Sequence, residues 1–338
     1  MKKKNLKIWL ALILLLILFV FKVMLDSKME IENKKFVINP GDNFLSIVDN
    51  LKQEGVIRDK VLFVLFAYFN GDYAQIKPGT YLFDGKYTIE NIVSVLKDNH
   101  GVLVVIPEGL NIYQIENKLI ESDVLINKFD LVNYTVDRLS DRIYEYPFLK
   151  NVDQKNNLEG FLYPDTYYFV EGMDIDEVVK VFLDNFNKEM YLKFKGEIDG
   201  NIYDKLILAS LIEKEIYHKK DILNAVSVIR NRMNNNMLFQ IDATLCYIKI
   251  MNEYLNNGDP VCKELTNNDK KLESLYNTYM YKEIIPGPIC NVGYETFSLV
   301  LNNIDTDYLY YITKPDSKDT VFAKTLDEHN LNISKYLK

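Results

Sequence analysis

The stretch Leu206-Ile-Leu-Ala-Ser-Leu-Ile-Glu213-Lys-Glu215-Ile216 sets acids inside an otherwise apolar run, and few folds accommodate that. It lacks Gly and Pro and is long enough for about three turns, so the spacing predicts a helix. Ile202, Leu206, Ala209, Glu213 and Ile216 recur at helical spacing and put Glu213 in an aliphatic stripe. Leu208, Leu211 and Ile212 make other faces apolar as well, which predicts a central, well-covered helix. A carboxylate there is costly to ionise and its pKa rises; a protonated glutamic acid near neutral pH is what a general acid requires. The competing reading is a solvated helix end capped by Lys219 or Lys220, and periodicity alone favours it. Glu215 lies roughly 200° further round the helix and is expected to face elsewhere.

Composition narrows the function. A net charge of -8 and a pI near 5.2 argue against a nucleic-acid binder. His100, His218 and His329 are far apart and no HExxH occurs, so no histidine-rich metal site is expected. Cys246, Cys262 and Cys290 are odd in number and form no CxxC pair, so neither a disulfide framework nor a zinc site is expected. P-loop and GxSxG patterns are absent too. The 338 residues suffice for two domains, or one plus a small module.

Lys2, Lys3, Lys4 and Lys7 precede an apolar run from Ile8 to Phe21, which continues past Lys22 to Leu25. As a helix this is about 27 Å long, close to the hydrocarbon thickness of a bilayer. No small-x-small cleavage site follows. The sequence therefore predicts a cytoplasmic tail (1–7), an uncleaved transmembrane anchor (8–25), and a soluble region outside the cytoplasmic membrane.

Beyond the anchor, Phe36–Ile38 reads as a strand, 39–42 as a turn, and Phe44–Glu54 as a helix stopped by Gly55. Asp59 can cap a second helix through Tyr68; a strand follows within 77–83 and a third helix over 88–97. This is a complete small α+β module, 36–101. A strand at 102–106, a turn at Pro107-Glu-Gly109 and a helix at 112–120 open the remaining region, 102–338. Leu158-Glu-Gly-Phe-Leu-Tyr-Pro-Asp-Thr-Tyr167 is a polar-aromatic loop that could line a sugar site or pack as a structural turn. Helices are predicted at 176–190 and 221–234. Alternation over 239–245 predicts an extended segment with Gln240, Asp242 and Thr244 on one face. A strand pair at 308–312 and 320–323 and a helix at 326–337 close the chain.

Together, LEGFLYPDTY (158–167), ASLIEKE (209–215), FQIDAT (239–244), YNTY (276–279), IPGPI (285–289) and VFAKTLDEHN (321–330) resemble the YceG-like endolytic murein transglycosylases in order and spacing. The module from Phe36 to Leu96 looks like that family's LysM-like region. The resemblance covers nearly everything after the anchor and tips the balance at Glu213 toward catalysis. It departs from the family's pattern at Ala243, Leu275 and Val292, where Pro is usual, which bears on loop geometry and substrate preference. It implies a mixed α+β catalytic domain whose central helix carries the catalytic glutamate, Glu213. The implied reaction cuts glycan strands between N-acetylmuramic acid and N-acetylglucosamine, leaves a 1,6-anhydro end and needs no cofactor or metal. Gln240, Asp242, Thr244, Tyr276 and Asn277 are the substrate-shell candidates; Glu159, Tyr163 and Asp165 line or brace the cleft; Glu215 supports. Peptidoglycan is the expected partner, with cell-wall synthases beside it and no nucleic acid. The alternatives are a hydrolase pairing Glu213 with Asp242 and a non-catalytic scaffold recruiting synthases.

Overall fold

The computed structural model describes residues 15, 19, 22–38, 41–97, 101–196, 198, 201–302 and 304–337. Its chain divides into two compact units, 1–103 with 168–171, and 104–167 with 172–338. The fold is α+β, but the predicted transmembrane helix requires correction: among the described residues no helix is long and apolar enough to cross a membrane. Most of 8–25 lies outside the described residues, and the described end is short and charged, with Lys22 and Asp26 paired at 3.5 Å. The tail 1–7 also lies outside them, as do residues 39 and 40 of the predicted turn.

The first unit is built on an antiparallel pair, β1 (Met29–Ile38) and β2 (Gly79–Tyr87), in the register Met29↔Tyr87 to Ile38↔Gly79 with an irregularity between Ile31 and Lys34. Alternation assigns the faces: Phe36 and Ile38 are buried and Val37 is exposed. Three helices supply the other half of the core: α1 (Phe44–Gln53), α2 (Lys60–Phe69) and α3 (Ile89–Lys97). Asn43 and Asp59 cap the first two by accepting from the Ser46 and Leu62 amides. Val48, Leu51, Phe63, Phe83, Val93 and Leu96 close this core; burying each such side chain contributes about 1.5–3 kcal/mol.

The strands β3 (Gly101–Ile106) and β4 (Asp165–Val170) pair with each other and are each divided between the units; α4 (Ile112–Glu121) follows in the second unit. Asn111 and Gln114 form a capping box on α4. Glu116, fully buried on that helix, accepts from the Phe129, Leu131 and Val132 amides and from the Tyr254 hydroxyl at 2.6–3.1 Å. Further along come α5 (Ile175–Phe186), α6 (Ile202–Glu215), α7 (Lys219–Asn234), α8 (Asp242–Leu255) and α9 (Tyr294–Leu301). The antiparallel pair β5 (Tyr310–Thr313) and β6 (Thr320–Ala323) packs against α10 (Leu326–Tyr336).

The apolar stretch singled out from sequence is α6, and α7, α8 and α9 pack against it. Every residue from Leu206 to Ile212 is buried, which is why charged residues are confined to the two ends of the helix. Two expectations fail in this unit. The extended reading of 239–245 is not met: burial alternates only to Ile241, with Phe239 and Ile241 buried about an exposed, left-handed Gln240. From Asp242 the chain is helical, because Leu245, Ile248 and the residues after them bury at helical spacing. Cys246 and Cys262, expected to be unpaired, form a disulfide with Cα atoms 5.1 Å apart; their separation of 16 residues hides the pairing from local sequence patterns.

Candidate active site

Glu213 occupies the last turn of α6, the sequence having run out of apolar neighbours just there. It is partly buried, and its pKa is raised, chiefly by burial. The Glu108 carboxylate pushes the same way, while the Thr296 hydroxyl, Lys214 and the Gly293 amide favour the anion. Lys214 lies on α6 itself and Gly293 at the N-terminal end of α9, so the acid meets a helix N-terminus. Even so, Glu213 Oε2 is buried without a hydrogen-bond partner. A carboxyl in that state holds its proton readily and has an oxygen free to deliver it.

The surrounding frame joins segments far apart in sequence. The turn at Pro107–Leu110 is clasped to 291–293: the Gly109 amide donates to the Asn291 carbonyl at 2.9 Å and the Asn291 amide to the Leu110 carbonyl at 2.8 Å. Lys214 Nζ donates to the Gly109 carbonyl at 3.0 Å, tying the turn to α6. Asn291 is fully buried and is the hub: its Nδ2 donates to Glu159 Oε1 and the Leu110 carbonyl, and its Oδ1 accepts from the Leu162 amide. Glu159 is a brace. Its Oε2 accepts from the Ile112 amide at 2.9 Å, at the start of α4, and burial raises its pKa to about 8. Tyr163, on the same loop, is pushed up to about 12 by burial first and then by acids that include Glu108. Asp165 is exposed and takes hydrogen bonds from Asn185 and the Thr166 amide.

Glu215 faces a different part of the unit. Its Oε1 accepts from the Ala243 amide at 3.3 Å and its Oε2 from the Tyr311 hydroxyl at 3.2 Å. Burial raises its pKa to about 7, and the nearby Asp242 adds to the rise. A cleft of about 310 Å³ opens here, lined by Lys214, Glu215, Asp242, Asn111, Gln114 and the disulfide among others; Glu213 is not part of its lining. Asp242, exposed at the start of α8, accepts from the Tyr279 hydroxyl at 2.5 Å. Gln240 turns the chain into α8 with φ of 55°, a left-handed conformation that costs a non-glycine residue about 1 kcal/mol or more.

The other predicted residues sit in the walls. Thr244 is fully buried, its hydroxyl donating to the Ile241 carbonyl and lying 3.0 Å from that of Thr278. Asn277 is fully buried and holds its own loop together through the Lys270 and Leu272 carbonyls and the Tyr279 amide. Tyr276 packs its ring 4.9 Å from that of Tyr247 and leaves part of its surface open. The structure thus gathers Glu108, Lys214, Gly293 and Thr296 about Glu213, and Asp242, Ala243 and Tyr311 about Glu215. Glu108, Asn291 and Thr296 escaped the sequence reading. Only Glu108 had a local signal, an acid at the tip of a Pro-Glu-Gly turn.

The chain as a whole also resembles known proteins. It is 28% identical over 315 residues to an endolytic murein transglycosylase of Bacillus subtilis, covering 89% of this chain and 84% of that one. It is 23% identical over 347 residues to an endolytic murein transglycosylase of Streptococcus pneumoniae, covering 94% of this chain and 62% of that longer protein. A crystal structure of a yceG-like protein from Listeria monocytogenes matches with a TM-score of 0.58 at 26% identity, over 89% of this chain and 99% of that one. The model of the YceG-like family matches residues 36–335, and the chain therefore belongs to the YceG-like family.

Proposed function

We propose that this chain is an endolytic peptidoglycan transglycosylase with Glu213 as its proton carrier. The reading rests on the half-buried Glu213 carboxyl and its unpartnered oxygen. The protonated acid gives its proton to the glycosidic oxygen of the departing N-acetylglucosamine as the bond from C1 of N-acetylmuramic acid breaks. The C6 hydroxyl of that muramic acid then attacks C1, and its proton returns to the Glu213 carboxylate. Atoms balance without water, a metal or a second nucleophile, and the muramic end becomes a 1,6-anhydro sugar. This differs from hydrolysis, where two carboxylates flank the bond. Hydrolysis by Glu213 with Asp242 finds no support in the geometry, since Asp242 lies by Glu215 and Tyr279.

Cutting inside nascent strands would end their elongation, which places the enzyme beside cell-wall synthases and outside the cytoplasm. The Cys246–Cys262 disulfide supports an oxidising compartment. The segment 36–101 is read as a LysM-like accessory module to the catalytic region 102–338. Digestion of uncrosslinked glycan strands with mass analysis tests the activity. Products with 1,6-anhydro ends are expected; products with only reducing ends mean hydrolysis, and intact strands mean a non-catalytic protein.

A further inference from the structure

Glu108 is exposed at the tip of the clasped turn between β3 and α4, and its carboxylate lies over the Cα of Gly293. A Cβ built on Gly293 would fall 1.8 Å from Glu108 Oε1 and 2.7 Å from Oε2, so only glycine there leaves this carboxylate its place. The backbone bonds between 109–110 and 291, and Lys214 on the Gly109 carbonyl, fix the turn that carries it. The same turn touches the acid: a Cβ on Gly109 would lie 3.9 Å from Glu213 Cγ. A like charge nearby disfavours the ionised form of an acid, and the Glu108 carboxylate acts on Glu213 in this direction.

We infer that Glu108 is a positioning residue of the acid site, whose fixed negative charge keeps the proton on Glu213 until the substrate takes it. This rests on the reading of Glu213 as the proton carrier. The other groups around Glu213 cannot do this work. Lys214 on the same helix favours the anion, as do the Thr296 hydroxyl and the Gly293 amide at the N-terminal end of α9. The buried Cys290 thiol stays neutral, its pKa pushed far up by burial. Glu295 of α9 pairs with Lys219, and Glu215 is turned to Ala243 and Tyr311. Glu108 thus opposes the helix end and the lysine, and burial alone is left to do so when it is removed.

The test is the pH profile of kcat/KM for anhydro-end release by the parent, Glu108→Gln and Glu108→Asp proteins. The basic limb of that profile reports the acid of the free enzyme. For Glu108→Gln it is expected about one pH unit lower, so that activity falls roughly tenfold above that limb and stays within about twofold well below it. Glu108→Asp should lie between. Carbon-13 NMR of glutamate-carboxyl-labelled protein, with the Glu213 signal assigned by its loss in Glu213→Gln, should show the same downward shift without any activity assay. An unmoved Glu213 titration, or a loss equal at every pH, overturns the inference. A parent protein that makes no anhydro ends overturns the transglycosylase reading, while the NMR titration still decides whether Glu108 holds the Glu213 proton.

Discussion

Glu213 and Glu215 stand on one turn of one helix and meet different surroundings. Burial raises the pKa of both. Both oxygens of Glu215 are engaged, by the Ala243 amide and the Tyr311 hydroxyl, whereas Glu213 keeps one buried oxygen without a partner. Glu159 extends the series: burial raises its pKa too, and its carboxylate is tied to the Ile112 amide and the Asn291 side chain. A raised pKa therefore does not single out a proton carrier in this molecule. The unpartnered oxygen is the feature that sets Glu213 apart, and the role proposed for it rests there.

The widest separation is expected from Glu213→Gln. That variant keeps the shape but has no acidic proton, and anhydro-end release should fall by roughly two or more orders of magnitude. Circular dichroism should be unchanged. A folded Glu213→Gln protein with near-parental activity would break the comparison outright.

The Glu215 side can be loosened without touching Glu213. Replacing Cys246 and Cys262 with serine opens a link spanning 16 residues at the cleft wall. Denaturant unfolding should show a loss of about 3 kcal/mol, with kcat changed far less than by Glu213→Gln. Equal stability with and without reductant in the parent would mean that the staple contributes nothing.

Glu215→Gln is expected to lower activity about tenfold, because one amide group must replace two acceptor oxygens beside Ala243 and Tyr311. If Glu215→Gln is inactive while Glu213→Gln works, the proton carrier belongs to the cleft and the two roles are exchanged.

The smallest effect concerns pH. Glu159 and Glu215 have folded values of about 8 and about 7 against an ordinary 4.5, so the folded state binds more protons than the unfolded one across that window. Their contribution to stability is complete below about pH 4.5 and is lost as the pH rises through about 7 and 8. The melting temperature should decline over that range, and Glu215→Gln should flatten the lower part of the decline. A melting temperature that rises steadily from pH 5 to 8 in both proteins contradicts these assignments.

Much of this was legible from sequence wherever burial follows a repeat. The stripe Ile202, Leu206, Ala209 gave α6, and alternation at Phe36–Ile38 gave part of β1. The segment 239–245 misled because a real alternation ends at Ile241, and the next residue starts α8. The strand β4 and the helix α9 were not anticipated; β4 continues a loop dense in Pro, Gly and aromatics, and α9 is short. At the site, helical geometry correctly set Glu213 and Glu215 apart, but the cleft opened at Glu215. Glu108 and Asn291 were out of reach for another reason: their importance comes from pairings such as Asn291 with Leu110, 181 residues apart, which no local window contains.

That long pairing also bears on when the candidate site can be complete. The turn carrying Glu108 is made early, Glu213 much later, and the partners of both, Asn291, Gly293 and Thr296, later still. A chain still being synthesised, or one clipped anywhere before Asn291, has Glu213 but not the 291–296 segment that packs beside it. Contacts so distant along the chain also form late in folding, after the local helices. The candidate site is therefore completed only by the final fraction of the polypeptide.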